Sequence, residues 1–310
     1  MKIVNRICLA LAALPVIAAT AAPLRVASWN IRVAGADRND NAWTNRREAV
    51  CTLIQRERFD LVGLQEVGGP QWRDLRERLQ EYRLLGRGRE ASTPESEGVA
   101  IAYRPDSLTL VTNGVFWLSE TPEHPGSRLP EAAYPRTAVW ARFCLDETGQ
   151  TFLFVNTHLD HAKEEIRRRQ LDILLARLEA IASKKEPILL AGDFNTHRLS
   201  PTLVPLRKHF REALAASQSR PTGPWRTYNA WQYIPPQDEL TLDLVSGDIT
   251  RAEKMFGVAG KFRRIDHLWA TPDIRILTFK TLPDGREKPY RYPSDHFPIA
   301  LEIQLKKARP

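Results

Sequence analysis

"ILLAGDFNTH", residues 188–197, begins as a buried strand and ends as something else. The apolar run Ile188–Ala191 has the composition of a strand covered on both faces. It then meets Gly192, Asp193, Asn195 and His197, polar groups in a place where a chain leaving a core needs only a turn. One Asp or Asn at a strand end is most simply a turn former bonded to its own backbone. Repetition changes that reading. "VASWN" ends in Asn30, "LVGLQE" in Glu66 and "FVNTHLD" in His158 and Asp160; "RRID" sets Asp266 just ahead of an apolar run, and "YPSDHFPIAL" sets Asp295 and His296 ahead of the last one.

The β-rich runs extend from "LRVASWNIRV" (24–33) to "PIALEIQL" (298–305), and helical periodicity separates some of them. Over 162–183 the apolar positions Leu171, Leu174, Leu175, Leu178 and Ile181 follow the i, i+3, i+4 rule. Shorter helices fit Arg46 to Gln55 and Gln71 to Gln80. Strands in two clusters with helices between them predict an α/β fold of two packed sheets flanked by helices. No linker rich in Gly, Ser or Pro divides residues 23–310, which read as a single domain. The least regular stretch, Ser217 to Lys261, contains Trp225, Tyr228, Trp231 and Tyr233, and burial is the expected fate of most of them, with one left exposed as a stacking platform.

At 310 residues and 43% apolar composition the chain can bury a substantial core, which excludes a disordered chain. Residues 1–22 are set apart. Lys2 and Arg6 precede the apolar "ICLALAALPVIAA", which ends in small residues, the pattern of a secretory signal peptide. The mature chain is therefore expected to be secreted or periplasmic, without a transmembrane segment. The formal charge of +8 becomes about +6 without that segment, a modest basic excess that suits an anionic substrate. Cys51 and Cys144 are too few for a disulfide framework and are expected to be buried thiols, although an exported chain could bridge them.

If the strand tips converge on one edge, that edge collects several carboxylates, two amides and two histidines. Unopposed, the carboxylates would raise one another's pKa. A hard divalent cation resolves the conflict, because carboxylate and amide oxygens suit Mg²⁺ or Mn²⁺. Asp266 and His296 are the best candidate for an acid that fixes an imidazole's tautomer and supports its charge.

The motifs "SWNIR", "QEV", "NTHLDH", "GDFN", "RRIDH" and "SDHFPI", in this order, resemble the endonuclease/exonuclease/phosphatase superfamily over about residues 24–305. "FWLSETPEHPGS" and the "HLDH" run followed by Arg167 and Gln170 are most similar to uncharacterised bacterial and fungal members. The resemblance implies a four-layer α/β sandwich with mixed sheets that cleaves phosphoester bonds with Mg²⁺. It implies Glu66 as metal ligand, Asn30 in the metal or phosphate environment and Asp295 close to the metal. Asp193 then orients and deprotonates the attacking water, Asn195 positions that water or the phosphate, and His158 and His296, the latter held by Asp266, contact phosphate oxygens. Arg136 in "YPRTAVWARF" matches a phosphate-binding arginine. Asp160, His161 and Arg167 are expected to brace the helix behind the site.

The resemblance leaves the substrate open: a sugar, inositol or lipid phosphate, or a nucleic acid cut by an endo- or exonuclease. The basic runs "IRRRQ", "KKE" and "LKKAR" lie on separate elements and argue mildly for the small substrates. A binding module on the same fold, without turnover, is the rival class. No obligate protein partner is expected. His197, two residues past the GDFN turn, reads as a solvent-facing loop residue, with reach to the substrate as the alternative, and His267, opposite Asp266 on its strand, as core or surface. His124 and His209 receive no role.

Overall fold

A computed structural model of the protein describes residues 22–235, 239–256, 263–284 and 291–306. The expected leader, apart from Ala22, lies outside the described residues, as do parts of the irregular stretch. The strands are β1 (Leu24–Asn30), β2 (Leu61–Val67), β3 (Arg83–Gly88), β4 (Gly98–Tyr103), β5 (Leu108–Trp117), β6 (Thr137–Leu145), β7 (Thr151–His158), β8 (Ile188–Asp193), β9 (Arg211–Glu212), β10 (Asp266–Ala270), β11 (Ile274–Thr281) and β12 (Ile299–Leu305). The helices are α1 (Trp43–Glu57), α2 (Gly69–Arg78), α3 (Glu164–Ile181), α4 (Ala213–Ala216) and α5 (Ile249–Phe256).

Two six-stranded mixed sheets result, in the orders β11-β12-β1-β2-β4-β3 and β5-β6-β7-β8-β10-β9. Both are built around a parallel pair, β1 with β2 and β7 with β8. One apolar cluster, with Val26, Leu61, Ile101, Val139, Phe154, Leu189 and Ile303, draws on the inner faces of both sheets. A second joins the outer face of the first sheet to α1 and α2 through Val50, Leu53, Ile54, Trp72 and Leu75. A third joins the second sheet to α3 through Leu171, Leu174 and Leu178. These are the four layers, and the sequence periodicity decides them: each helix buries the stripe whose spacing marks it.

Sequence alone misses β3 and β9, the edge strands at one end of each sheet. An edge strand pairs on one side only, and "RLLGRG" shows no alternation to betray it. Cys51 is buried and Cys144 only half-buried, and both are free thiols, so the second was expected deeper than it lies. The irregular stretch contains α5 and buries Trp225 fully; Tyr228, Trp231 and Tyr233 are half-buried. Among the described residues no helix is long and apolar enough to cross a membrane.

Candidate active site

The residues singled out at strand ends come together because strand register aligns them. Within the second sheet His158 of β7 is opposite Asp193 of β8, and Asp193 is opposite Asp266 of β10. Gly192 permits this close pairing, since a Cβ there would come within 2.3 Å of the Thr157 carbonyl oxygen on the neighbouring strand. The facing edge of the first sheet contributes Asn30 and Glu66.

Glu66 sits in β2 with φ of +61°, where the register of β2 against β4 shifts between Gln65 and Val67. Such a bulge re-aims a side chain, and the left-handed backbone of a non-glycine residue is strain held in place by its surroundings. Asn195 is held similarly at φ of +50°, which an asparagine tolerates more readily.

Asn30 links the two sheets' acids. Its Nδ2 donates to Glu66 Oε1 and to Asp193 Oδ2, each at 3.0 Å, while its Oδ1 accepts from the Arg32 N–H at 2.9 Å. Asn30 thus offers its nitrogen, not its oxygen, to the carboxylates. Burial opposes ionisation of Glu66, but the hydrogen bonds from Asn30 and from the Val33 N–H at 2.9 Å hold its pKa below the usual carboxylate value. Asp193 goes the other way: burial first, then the negative neighbour Asp266, push its pKa up.

The two histidines differ in charge for reasons visible in their partners. His296 Nδ1 lies 2.9 Å from Asp266 Oδ2, and although burial opposes protonation, Asp266 and then Asp295 and Asp193 raise its pKa to about 10. It is an imidazolium at neutral pH. His158 Nε2 lies 2.9 Å from the Asn195 Nδ2, which also donates to the Leu159 carbonyl at 3.1 Å. A carbonyl can only accept, so the amide orientation is fixed and His158 Nε2 is an acceptor. Burial and the nearby Arg136 and Arg89 guanidiniums hold its pKa well below the ordinary value, in agreement with a neutral ring.

Arg136, at the foot of β6, is 5% exposed, and its Nε has no hydrogen-bond partner among the described residues. Burial and then Arg89 lower its pKa. Glu97 Oε1 lies 2.6 Å from Arg89 Nη1 and 3.9 Å from Arg136 Nη1, one carboxylate facing two guanidiniums. Asp160 accepts from the backbone N–H groups of Ala133, Ala162 and Lys163, which ties the segment before Arg136 to the start of α3. Arg167 Nη1 donates to the Asp160 carbonyl at 3.1 Å, and His161 Nδ1 is 3.4 Å from Arg136 Nη2.

Metal fit follows from the donors. Glu66 Oε2 and Asp295 Oδ2 lie 3.9 and 3.7 Å from nitrogens of the same Arg32 side chain, so a half-buried and a buried carboxylate face a common cationic group. Burial raises the Asp295 pKa, and Glu66 adds to that rise. An all-oxygen pair under mutual repulsion fits a hard divalent cation. Asp193, Asp266 and His296 also place ligand atoms within 4.8 Å of one another and form a group able to hold a metal. One of those three groups offers an imidazole nitrogen, whereas the Glu66 side offers oxygen donors only, so the Glu66 side is the better fit for a hard cation.

Sequence reasoning missed Arg32, Arg89, Glu97 and Tyr134. Glu97, just ahead of the buried β4, carried the same signal as the residues it found: an acid at the edge of an apolar run. His267 is buried, its Nε2 donating to the Thr196 carbonyl at 2.9 Å. His197 is half-buried rather than solvent-facing, with an Nδ1 that lacks a hydrogen-bond partner among the described residues.

Two packed mixed sheets with acids, imidazoles and a buried arginine at one edge define the class of α/β-sandwich phosphoester hydrolases. The chain belongs to the endonuclease/exonuclease/phosphatase family, whose model matches residues 27–296. Its fold is similar to that of a family member from Bacteroides vulgatus, at 28% identity and a TM-score of 0.78 over 92% of this chain and 99% of that one. It is also similar to a mannosyl-6-phosphatase from Bacteroides thetaiotaomicron, at 28% identity and a TM-score of 0.74 over 90% of this chain and 99% of the other. An uncharacterised protein of Acanthamoeba polyphaga mimivirus is 29% identical over 160 residues, a match that spans 50% of this chain and 59% of the viral protein.

Proposed function

We propose that the chain is an exported, Mg²⁺-dependent phosphoesterase that hydrolyses small phosphate esters, with sugar phosphates as its substrate class. The observation that carries this reading is Arg136: a buried guanidinium whose Nε has no partner among the described residues, beside His158, whose neutral form burial favours, and a second buried arginine, with Glu97 3.9 Å away. Such a local positive excess needs an anion, and a phosphate group brings two or three oxygens to meet it.

In this reading Glu66 and Asp295 would hold the cation, which when bound neutralises charge on the phosphate oxygens. Asp193, its pKa raised by burial, takes the proton of the attacking water, and Asn195 holds that water in place. His296, kept charged by Asp266, donates to a phosphate oxygen as charge builds there, and Arg136 stabilises another. Asn30 holds the Glu66 and Asp193 carboxylates at a fixed separation. Similarity to the Bacteroides mannosyl-6-phosphatase supports the sugar-phosphate class. Two of the arginines of α3 are paired, Arg169 with Glu120 and Arg177 with Glu123, which leaves less open positive charge along that helix for a polynucleotide backbone.

The test is phosphate release by the purified exported chain from hexose phosphates, inositol phosphates, nucleotides and oligonucleotides, with and without chelator. Hexose phosphates are expected to be the fastest substrates, with little dependence on salt. Preferential, salt-sensitive cleavage of oligonucleotides overturns the substrate class, and activity in Arg136→Met equal to that of the unaltered chain overturns the site.

A further inference from the structure

Beside the Arg136 pocket stands a group of rings that the proposed hydrolysis does not use. Tyr134 is 46% exposed. It is nevertheless held firmly: the Arg89 guanidinium lies 4.3 Å from its ring centroid, and the His161 imidazole is stacked with it at 6.0 Å and an interplanar angle of 26°. His161 is itself exposed and reaches Arg136 through its Nδ1 at 3.4 Å. Arg89 is fixed from below by Glu97 at 2.6 Å, and its carbonyl accepts from Trp117 Nε1 at 2.7 Å.

Both arginines line a narrow cleft of about 10 Å³ that also contains Glu97, Pro135 and His158, with Arg136 and His158 each only 5% exposed. The exposed rings of Tyr134 and His161 are therefore joined directly to the groups that face the phosphate. An exposed phenol and imidazole already held by these contacts cost little entropy to order on binding, and each offers an apolar face beside a polar atom. A polyhydroxylated ring, with C–H faces and hydroxyl edges, is the chemistry that matches both.

We infer that Tyr134 and His161 form the leaving-group subsite, which selects esters whose alcohol is a sugar ring; this rests on the phosphoesterase reading above. The phosphate enters toward Arg136 and His158, and the ring attached to it lies along Tyr134 and His161. Arg89 serves both halves, as a charge for the phosphate and as the base on which Tyr134 is seated. Neither aromatic group takes part in bond breaking, so their influence falls on the choice between substrates.

The experiment compares hexose 6-phosphate with methyl phosphate, an ester with an alkyl leaving group too small to reach the rings. In Tyr134→Ala and in His161→Ala the ratio of kcat/KM for the two esters is expected to fall about tenfold, the effect of one lost contact of about 1.4 kcal/mol. Tyr134→Phe, which keeps the ring, is expected to recover most of the loss. A ratio unchanged in both alanine variants overturns the subsite, because a residue that only supports Arg89 would slow the two esters alike. A larger fall for nucleoside monophosphates than for hexose phosphates also overturns it, in favour of a base platform.

Binding separates this inference from the parent reading. Ligand-observed NMR of hexose 6-phosphate and of inorganic phosphate needs no turnover. Tighter binding of the sugar ester, lost in Tyr134→Ala, supports the subsite even if no ester is hydrolysed. Equal affinity for both ligands overturns it even if hydrolysis is fast.

Discussion

Asn30→Leu tests the arrangement at its centre. The amide Nδ2 donates to two carboxylates at 3.0 Å each, half-buried Glu66 from one strand of the first sheet and buried Asp193 from the second sheet. Hydrogen bonds to charged groups contribute about 1.5–3 kcal/mol each, so losing both costs about 3–6 kcal/mol if the acids stay ionised. Leucine recovers part of this through apolar burial, and the acids can escape by taking up protons at about 1.4 kcal/mol per pKa unit. A net loss of about 2–4 kcal/mol is expected, large against a total stability of about 5–15 kcal/mol. The assay is urea unfolding in chelator, at neutral and at acid pH. Glu66 has a folded pKa below its ordinary 4.5, so the stability it contributes is fully present above 4.5 and is lost as pH falls through the folded value. The gap between Asn30→Leu and the unaltered chain is therefore expected at neutral pH and should narrow in acid. A gap under about 1 kcal/mol at neutral pH, or one as wide in acid, refutes the account of Asn30 as a brace between carboxylates.

Arg136→Lys is expected to lower kcat/KM for a phosphate ester by about 10²–10³, because lysine supplies charge without the planar set of donors; steady-state kinetics showing full activity would contradict this. Chelation is expected to abolish hydrolysis with the far-ultraviolet circular dichroism unchanged, and Mg²⁺ to restore it; equal rates in chelator would remove the cation from the proposal. His267, pushed down to about 4 by burial, contributes stability that is present above pH 6.5 and lost as pH falls toward 4, about 3 kcal/mol in all. In His267→Phe the decline of unfolding free energy between those two pH values should be smaller by a similar amount, as denaturant melts at each pH would report.

The sequence determined the layers and the chemistry of the edge. Apolar runs and helical stripes, read with their periods, fixed which segments pack, and the recurrence of Asn30, Glu66, His158, Asp193, Asp266, Asp295 and His296 at the ends of such runs marked a shared edge. Those signals are local, carried by neighbours along the chain. Tertiary structure decided what depends on register and on distance through space. Only the pairing of β7, β8 and β10 sets His158, Asp193 and Asp266 in one row. Only the meeting of the sheets turns the Asn30 amide nitrogen toward an acid from each of them. Arg89, Glu97 and Tyr134 come from connections and strand starts whose composition is ordinary, and they acquire meaning from the guanidinium and ring contacts that folding creates. Charge states belong to the same level: both histidines are buried, but Asp266 is hydrogen-bonded to His296 and favours its charged form, while burial and the nearby Arg136 and Arg89 favour the neutral form of His158.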